Sequence, residues 1–204
     1  RKFALEFEGP ETVRIAGRPV VEGELSILGP RDMSRMAPLV LLLMAIILFI
    51  LLRSVRDTVI NLFIVLFGTI TAFGAKSLLG IPIYSVDMMM PVMLIAIGVA
   101  YGIHMHNTLY HLAAEFPDIT REELVKKNLK AMLRPVIMTG LTTAVGFAAL
   151  TTSQVLPVRY FGLFIALGVL VEMFLALVLF PASVLLFGPV KKRRMFGSKN
   201  ENPV

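Results

Sequence analysis

Five apolar stretches dominate the chain, at about 36–52, 59–75, 88–105, 135–152 and 160–187, each bounded by charged residues, proline or glycine. Crossing a hydrocarbon core of about 30 Å takes roughly 20 helical residues, so the pattern predicts a bundle of five transmembrane helices over 35–188. The first stretch is a little short and is expected to borrow from the helix before it. Residues 1–34 differ in kind, being charged and punctuated by glycine and proline, with alternating runs from Lys2 through Phe7 and from Thr12 through Ile15. Alternation of this kind predicts strands, read as the end of an extracytoplasmic domain, and a lead-in helix at 20–33 interrupted by Gly29 and Pro30. Strands this short cannot bury a core alone, so the segment is expected to be the remnant of a larger domain or a docking strand. The expected fold is an all-α polytopic membrane bundle with a short α/β extracytoplasmic N-terminal remnant.

Between the third and fourth stretches, residues 106–134 carry Pro117 and a capping-box pattern from Thr120 to Glu123. That pattern opens a helix with apolar Leu124, Leu129, Ala131 and Met132 beside Lys126, Lys127 and Lys130. It predicts an amphipathic cytoplasmic connector lying on an anionic leaflet. Lys and Arg collect on one side of the spans: Arg53 and Arg56, then Arg121 to Arg134, then Lys191, Lys192, Arg193 and Arg194 in the tail at 189–204. The short loops of the other side hold only Lys76 and Arg159. The positive-inside bias therefore predicts a multi-pass protein of the plasma or inner membrane, N-terminus outside and C-terminus cytoplasmic.

Composition agrees: 56% of residues are hydrophobic and 17% charged, and the mean hydropathy is +0.79. A bilayer is the natural solvent for such a chain. The net charge of +6 does not point to nucleic acid, because the basic residues sit at the ends of apolar runs and are not interleaved with aromatics. With no Cys, neither a disulfide framework nor a thiolate metal site is expected. The chain opens on Arg1 with no signal-peptide pattern, so a preceding segment is expected. No nucleophile paired with a base, phosphate-binding glycine loop or metal-ligand set is evident, so no enzyme, cofactor or metal is predicted.

Within the spans, an ionisable side chain is expensive and therefore informative. Glu172 lies twelve residues into the last stretch, roughly 18 Å along the helix and near the midplane. With small Gly168 and Ala176 beside it, its face is expected to pack on protein, and its carboxyl could take up and release a proton. A protonated structural Glu bonded to a neighbouring helix is the alternative. His104, toward the cytoplasmic end of the third span, is a second titratable candidate, with a structural hydrogen bond as its alternative. On the fourth span Thr139, Thr142, Thr143 and Gly146 share one face, which is expected to point into the bundle as packing surface or as a hydroxyl relay. Gly98 and Gly102 form a GxxxG pair, and these two, with Gly146 and Gly168, are assigned to helix packing.

The run from Leu79 to Pro82 and that from Pro91 to His104, including Gly98, Val99, Ala100, Tyr101 and Gly102, resemble the third and fourth transmembrane helices of resistance-nodulation-division (RND) exporters of the MMPL and hopanoid-exporter type. The run from Arg134 to Phe147 is similar to their fifth helix, and Val158 to Phe164 with Leu179 to Ala182 to their sixth. The resemblance covers the chain from about Gly17 onward. It implies the second to sixth helices of one half of a proton-driven exporter of hydrophobic or amphiphilic compounds, lipids or drugs. Its implied partners are membrane lipids, the hydrophobic substrate, and a second half or further copies. Many relatives carry an Asp where this chain has Ala100, so the proton relay is expected among Glu172, His104, Thr139, Thr142, Thr143 and Tyr101, or in another half, with a passive role for this half as the remaining alternative. The five-helix unit also resembles the sterol-sensing domain, which would make it a lipid-sensing regulator. More distantly it is similar to the SecD/SecF translocation accessories.

Overall fold

The computed structural model describes residues 17–187. The strands expected within 1–16 and the basic tail at 189–204 lie outside the described residues. Five helices follow one another in the order that the apolar stretches set: α1 (Arg18–Leu52), α2 (Val55–Leu78), α3 (Met90–Glu115), α4 (Arg121–Ala148) and α5 (Leu156–Phe187). Short 3-10 helices at Ser85–Met89 and Ala149–Thr152 adjoin α3 and α4. All five helical segments are long and apolar enough to cross a membrane, and no strand occurs among the described residues. The described residues form an all-α membrane bundle.

Successive helices run antiparallel. The α1–α2 turn, the α3–α4 turn and the end of α5 lie at one end, called here the basic end after Arg53 and Arg56. The 79–89 and 149–155 connections lie at the opposite end. The α1–α2 turn is two residues long. Arg53 takes a left-handed conformation (φ 49°), which ends α1 with its N–H donating to Phe49 O. Ser54 then caps α2 by accepting from Asp57 N at 3.3 Å. Such caps satisfy amide groups that a helix start leaves open, and this one fixes the position of Asp57.

Two expectations need correction. The lead-in helix is not interrupted at Gly29 and Pro30, because α1 is continuous from Arg18 to Leu52. A proline deletes one rung of the hydrogen-bond ladder, and a helix of 35 residues carries that loss. The segment 106–134 is likewise not a separate helix on the membrane surface. Its first part extends α3 to Glu115, its last part is the start of α4, and α4 runs on through Pro135. Thr120 does cap that helix, accepting from Glu123 N at 3.4 Å. Leu109 of α3 and Leu124 and Val125 of α4 are buried in one apolar cluster with Val136 and Phe180, so burying them holds the segment in the bundle as a helical hairpin.

α5 is the hub, packing against α2, α3 and α4. α1 packs against α2, α3 and the 3-10 helix at Ser85–Met89, fastened through Leu48 and Leu52 to Val65, Ile95 and Val99. Val40, Leu41 and Met44 are partly buried against the same cluster, while Leu39, Leu42, Phe49 and Ile50 are exposed.

Candidate functional site

Asp57, Asn61, Val65, Gly68, Ala72 and Lys76 recur at three- and four-residue intervals along α2, so they share one face. All six are buried. On α3 the facing stripe is Gly98, Gly102, His106 and Tyr110, one turn apart. The two stripes meet level by level, and at the first two levels a glycine makes room for a polar side chain.

At the first level stands Glu172, delivered by α5 and fully buried. Its carboxylate lies between Gly68 and Gly98: a Cβ on Gly68 would stand 2.8 Å from Oε1, and one on Gly98 would stand 2.8 Å from Oε2. Neither oxygen has a hydrogen-bond partner among the described residues. Tyr101, three positions beyond Gly98, is buried with its hydroxyl also unpartnered there, and lies within electrostatic reach of Glu172. At the second level the Asn61 amide fills the space beside Gly102.

At the third level, nearest the basic end, His106 Nδ1 lies 2.8 Å from Gly102 O, and Nε2 lies 3.5 Å from Asp57 Oδ2. Arg56 donates through Nε to Asp57 Oδ1 at 3.0 Å, and Tyr110 donates its hydroxyl to Oδ2 at 3.3 Å. Phe180 of α5 closes the cluster edge-on to the imidazole, with ring centroids 4.4 Å apart.

At the opposite end the stripe finishes in a buried ion pair between Lys76 and Asp87. Tyr84 N donates to Asp87 Oδ2 at 2.6 Å. The Lys76 ammonium sits 4.9 Å from the Tyr84 ring centre and 5.9 Å from that of Phe164, and Tyr84 stacks on Tyr160. A desolvated ammonium beside aromatic faces gains cation–π attraction in addition to its counter-ion.

The structure brings Glu172 and Tyr101 into this stripe, with Gly98 and Gly102 as the sites of close approach. Gly168 also sits in tight contact, where a Cβ would stand 2.8 Å from Leu94. Other candidates lie elsewhere. His104 is exposed, two positions from the buried His106. The α4 threonine face does not point into the bundle: Thr139 and Thr142 are exposed, Thr143 is half-buried, and Gly146 is exposed with open space beside it. The physical reason is local. Thr139 donates to Pro135 O at 2.9 Å and Thr142 to Met138 O at 2.8 Å, and a hydroxyl satisfied by its own helix can face an apolar exterior. α4 instead turns Val136, Gly140 and Ala144 inward.

Asp57, Asn61, Lys76, Asp87, His106 and Tyr110 were not among the sequence candidates. A ladder of three- and four-residue steps finds five of them: Gly98 and Gly102 extend to His106 and Tyr110, and Asp57 and Asn61 lead through Val65, Gly68 and Ala72 to Lys76, while Asp87 lies on neither ladder.

The MMPL family model matches residues 5–200. The chain belongs to the MMPL family. Over 189 residues it is 26% identical to "Putative membrane protein SCO6666" of Streptomyces coelicolor, covering 89% of this chain and 26% of that protein. Over 182 residues it is 24% identical to "Probable transport protein MmpL8" of Mycobacterium bovis, covering 87% of this chain and 16% of that protein. The chain thus spans about a quarter or less of these relatives' lengths. In this MMPL chain α3 has a half-buried Ala100, and the carboxyl in the middle of the described bundle comes from α5.

Proposed function

We propose that this chain is the five-helix membrane part of a proton-driven exporter of hydrophobic or amphiphilic compounds, and that Glu172 is the group that takes up and releases the driving proton. The observation that carries the reading is the Glu172 carboxylate, fully buried between Gly68 and Gly98 with no protein hydrogen bond among the described residues. A charge at the centre of a membrane helix costs about 2.5–3.5 kcal/mol on insertion scales, which makes an intramembrane ionisable group a functional hypothesis by default. Its charge changes with its proton, and it touches the glycine faces of two other helices. Protonation can therefore bias how α2, α3 and α5 sit against one another, and small-residue faces permit such sliding. Membership of the MMPL family, and a relative named as a transport protein, support transport over catalysis.

In this reading the basic end faces the cytoplasm of a plasma or inner membrane, by the Lys and Arg bias. Lipids cover the exposed face of α1, and a second half or a second copy meets the outer face of α4. The complete protein in lipid vesicles tests the reading: Glu172→Gln is expected to remain folded and to lose export driven by a proton gradient. Full transport by that variant removes Glu172 from the mechanism. A parent protein that binds lipid or sterol with no gradient-driven flux belongs instead with the lipid-sensing modules.

A further inference from the structure

The cluster at the basic end sets both ring nitrogens of His106 beside oxygen acceptors. His106 is buried, with Nδ1 2.8 Å from the Gly102 carbonyl oxygen and Nε2 3.5 Å from Asp57 Oδ2. A carbonyl and an ionised carboxylate are both acceptors, whereas a neutral imidazole has one N–H and one lone pair. With Asp57 ionised and His106 neutral, one ring nitrogen would turn a lone pair toward an oxygen. One proton more, on the imidazole or on the carboxyl, removes the conflict. The surrounding groups hold Asp57 in place for this: Arg56 on Oδ1 and Tyr110 on Oδ2. α5 presents the uncharged Phe180 to the ring. The Arg56 side chain is 28% exposed, which connects the cluster to the surface at the basic end.

We propose that Asp57 and His106 form a second proton-holding site, which passes protons between Glu172 and the aqueous phase at the basic end. The inference rests on the reading of Glu172 as a proton carrier. His106 lies eight residues along α3 from Gly98, where the Glu172 carboxylate sits, or about 12 Å at 1.5 Å per residue. Asn61 Nδ2 and the Tyr101 hydroxyl lie within that interval without partners among the described residues, and a proton crossing it would need water between them. The Glu172 carboxyl gives up its proton and becomes a carboxylate, and the Asp57–His106 pair accepts that proton. The pair then releases one proton to water at the basic end and returns to its starting state. Asn61 is a positioning residue, since its amide does not itself titrate.

The test uses the complete protein in lipid vesicles. The chain has three histidines, and His104 and His111 are exposed, so nitrogen-15 labelling of histidine with magnetic resonance separates His106 after assignment by single substitution. The ring signals of His106 in the parent protein are expected to respond to an imposed proton gradient, and Glu172→Gln to abolish that response. His106→Gln and Asp57→Asn are expected to lower gradient-driven transport at least about tenfold. A His106 signal that does not respond to the gradient overturns the site, and this measurement needs no variant to fold. Parent-level transport by His106→Gln, with Glu172→Gln inactive, overturns it too and leaves the Glu172 reading standing. Normal transport by Glu172→Gln is the separate result that fails the Glu172 reading, and the handover falls with it.

Discussion

The Glu172 carboxylate fills the room that a side chain at Gly98 would take: a Cβ there would stand 2.8 Å from Oε2 and 2.7 Å from Val65 Cγ2. The carboxylate could swing aside, but Val65 on α2 is fully buried and stiff at χ1. Gly98→Ala is therefore expected to cost about 1–3 kcal/mol, as overpacking does, and to lower transport. Part of that cost should vanish in a Glu172→Ala background, giving a coupling of about 0.5–3 kcal/mol in a double-mutant cycle of unfolding in detergent. Strictly additive costs would mean that position 98 does not sense the carboxylate.

Lys76 and Asp87 supply a contrast, because both charges are matched. Removing one partner strands the other in an apolar site, a loss of about 3–5 kcal/mol, whereas replacing both with apolar residues of similar volume is often neutral or stabilising. Lys76→Met and Asp87→Leu are each expected to lower the unfolding midpoint sharply, and the double variant to recover most of it. The Asp87 side chain also accepts from Tyr84 N, so recovery should stop short of complete. A double variant as unstable as the worse single one would show that the pair does not act as a unit.

The five spans were legible in the sequence because length and hydrophobicity alone define them, and Glu172 was legible because a lone carboxyl interrupts an apolar run. The facing of α4 was not. In a soluble helix the polar side marks solvent, but here both lipid and protein interior are apolar, so a stripe of threonines does not reveal which side it takes. Asp57, Lys76 and Asp87 were hidden for another reason: they sit at the ends of spans, where charge reads as a boundary. His106 and Asp57 meet across 49 positions of sequence, a pairing that no local pattern encodes.

The outward placement of the α4 threonines has its own consequence. Since Thr139 and Thr142 bond to carbonyls of their own helix, Thr139→Val and Thr142→Val are expected to change stability by less than about 0.5 kcal/mol, as surface substitutions do. They should leave the pH profile of transport unchanged. His104→Ala, also at an exposed site, should behave alike. Unfolding midpoints and transport rates across pH check all three. A displaced pH profile in either threonine variant would put a hydroxyl of that face back in the proton path.

Asn61 separates stability from function most directly. Its side chain is 2% exposed, packs into the space beside Gly102, and its Nδ2 has no hydrogen-bond partner among the described residues. A buried polar group left without a partner costs about 1–3 kcal/mol, and Leu has nearly the shape of Asn without its amide. Asn61→Leu is expected to raise the unfolding midpoint while slowing transport, because it breaks the polar stripe between Glu172 and His106. The opposite pair of results, lower stability with unchanged transport, would mean that Asn61 serves the fold and that protons do not pass its level.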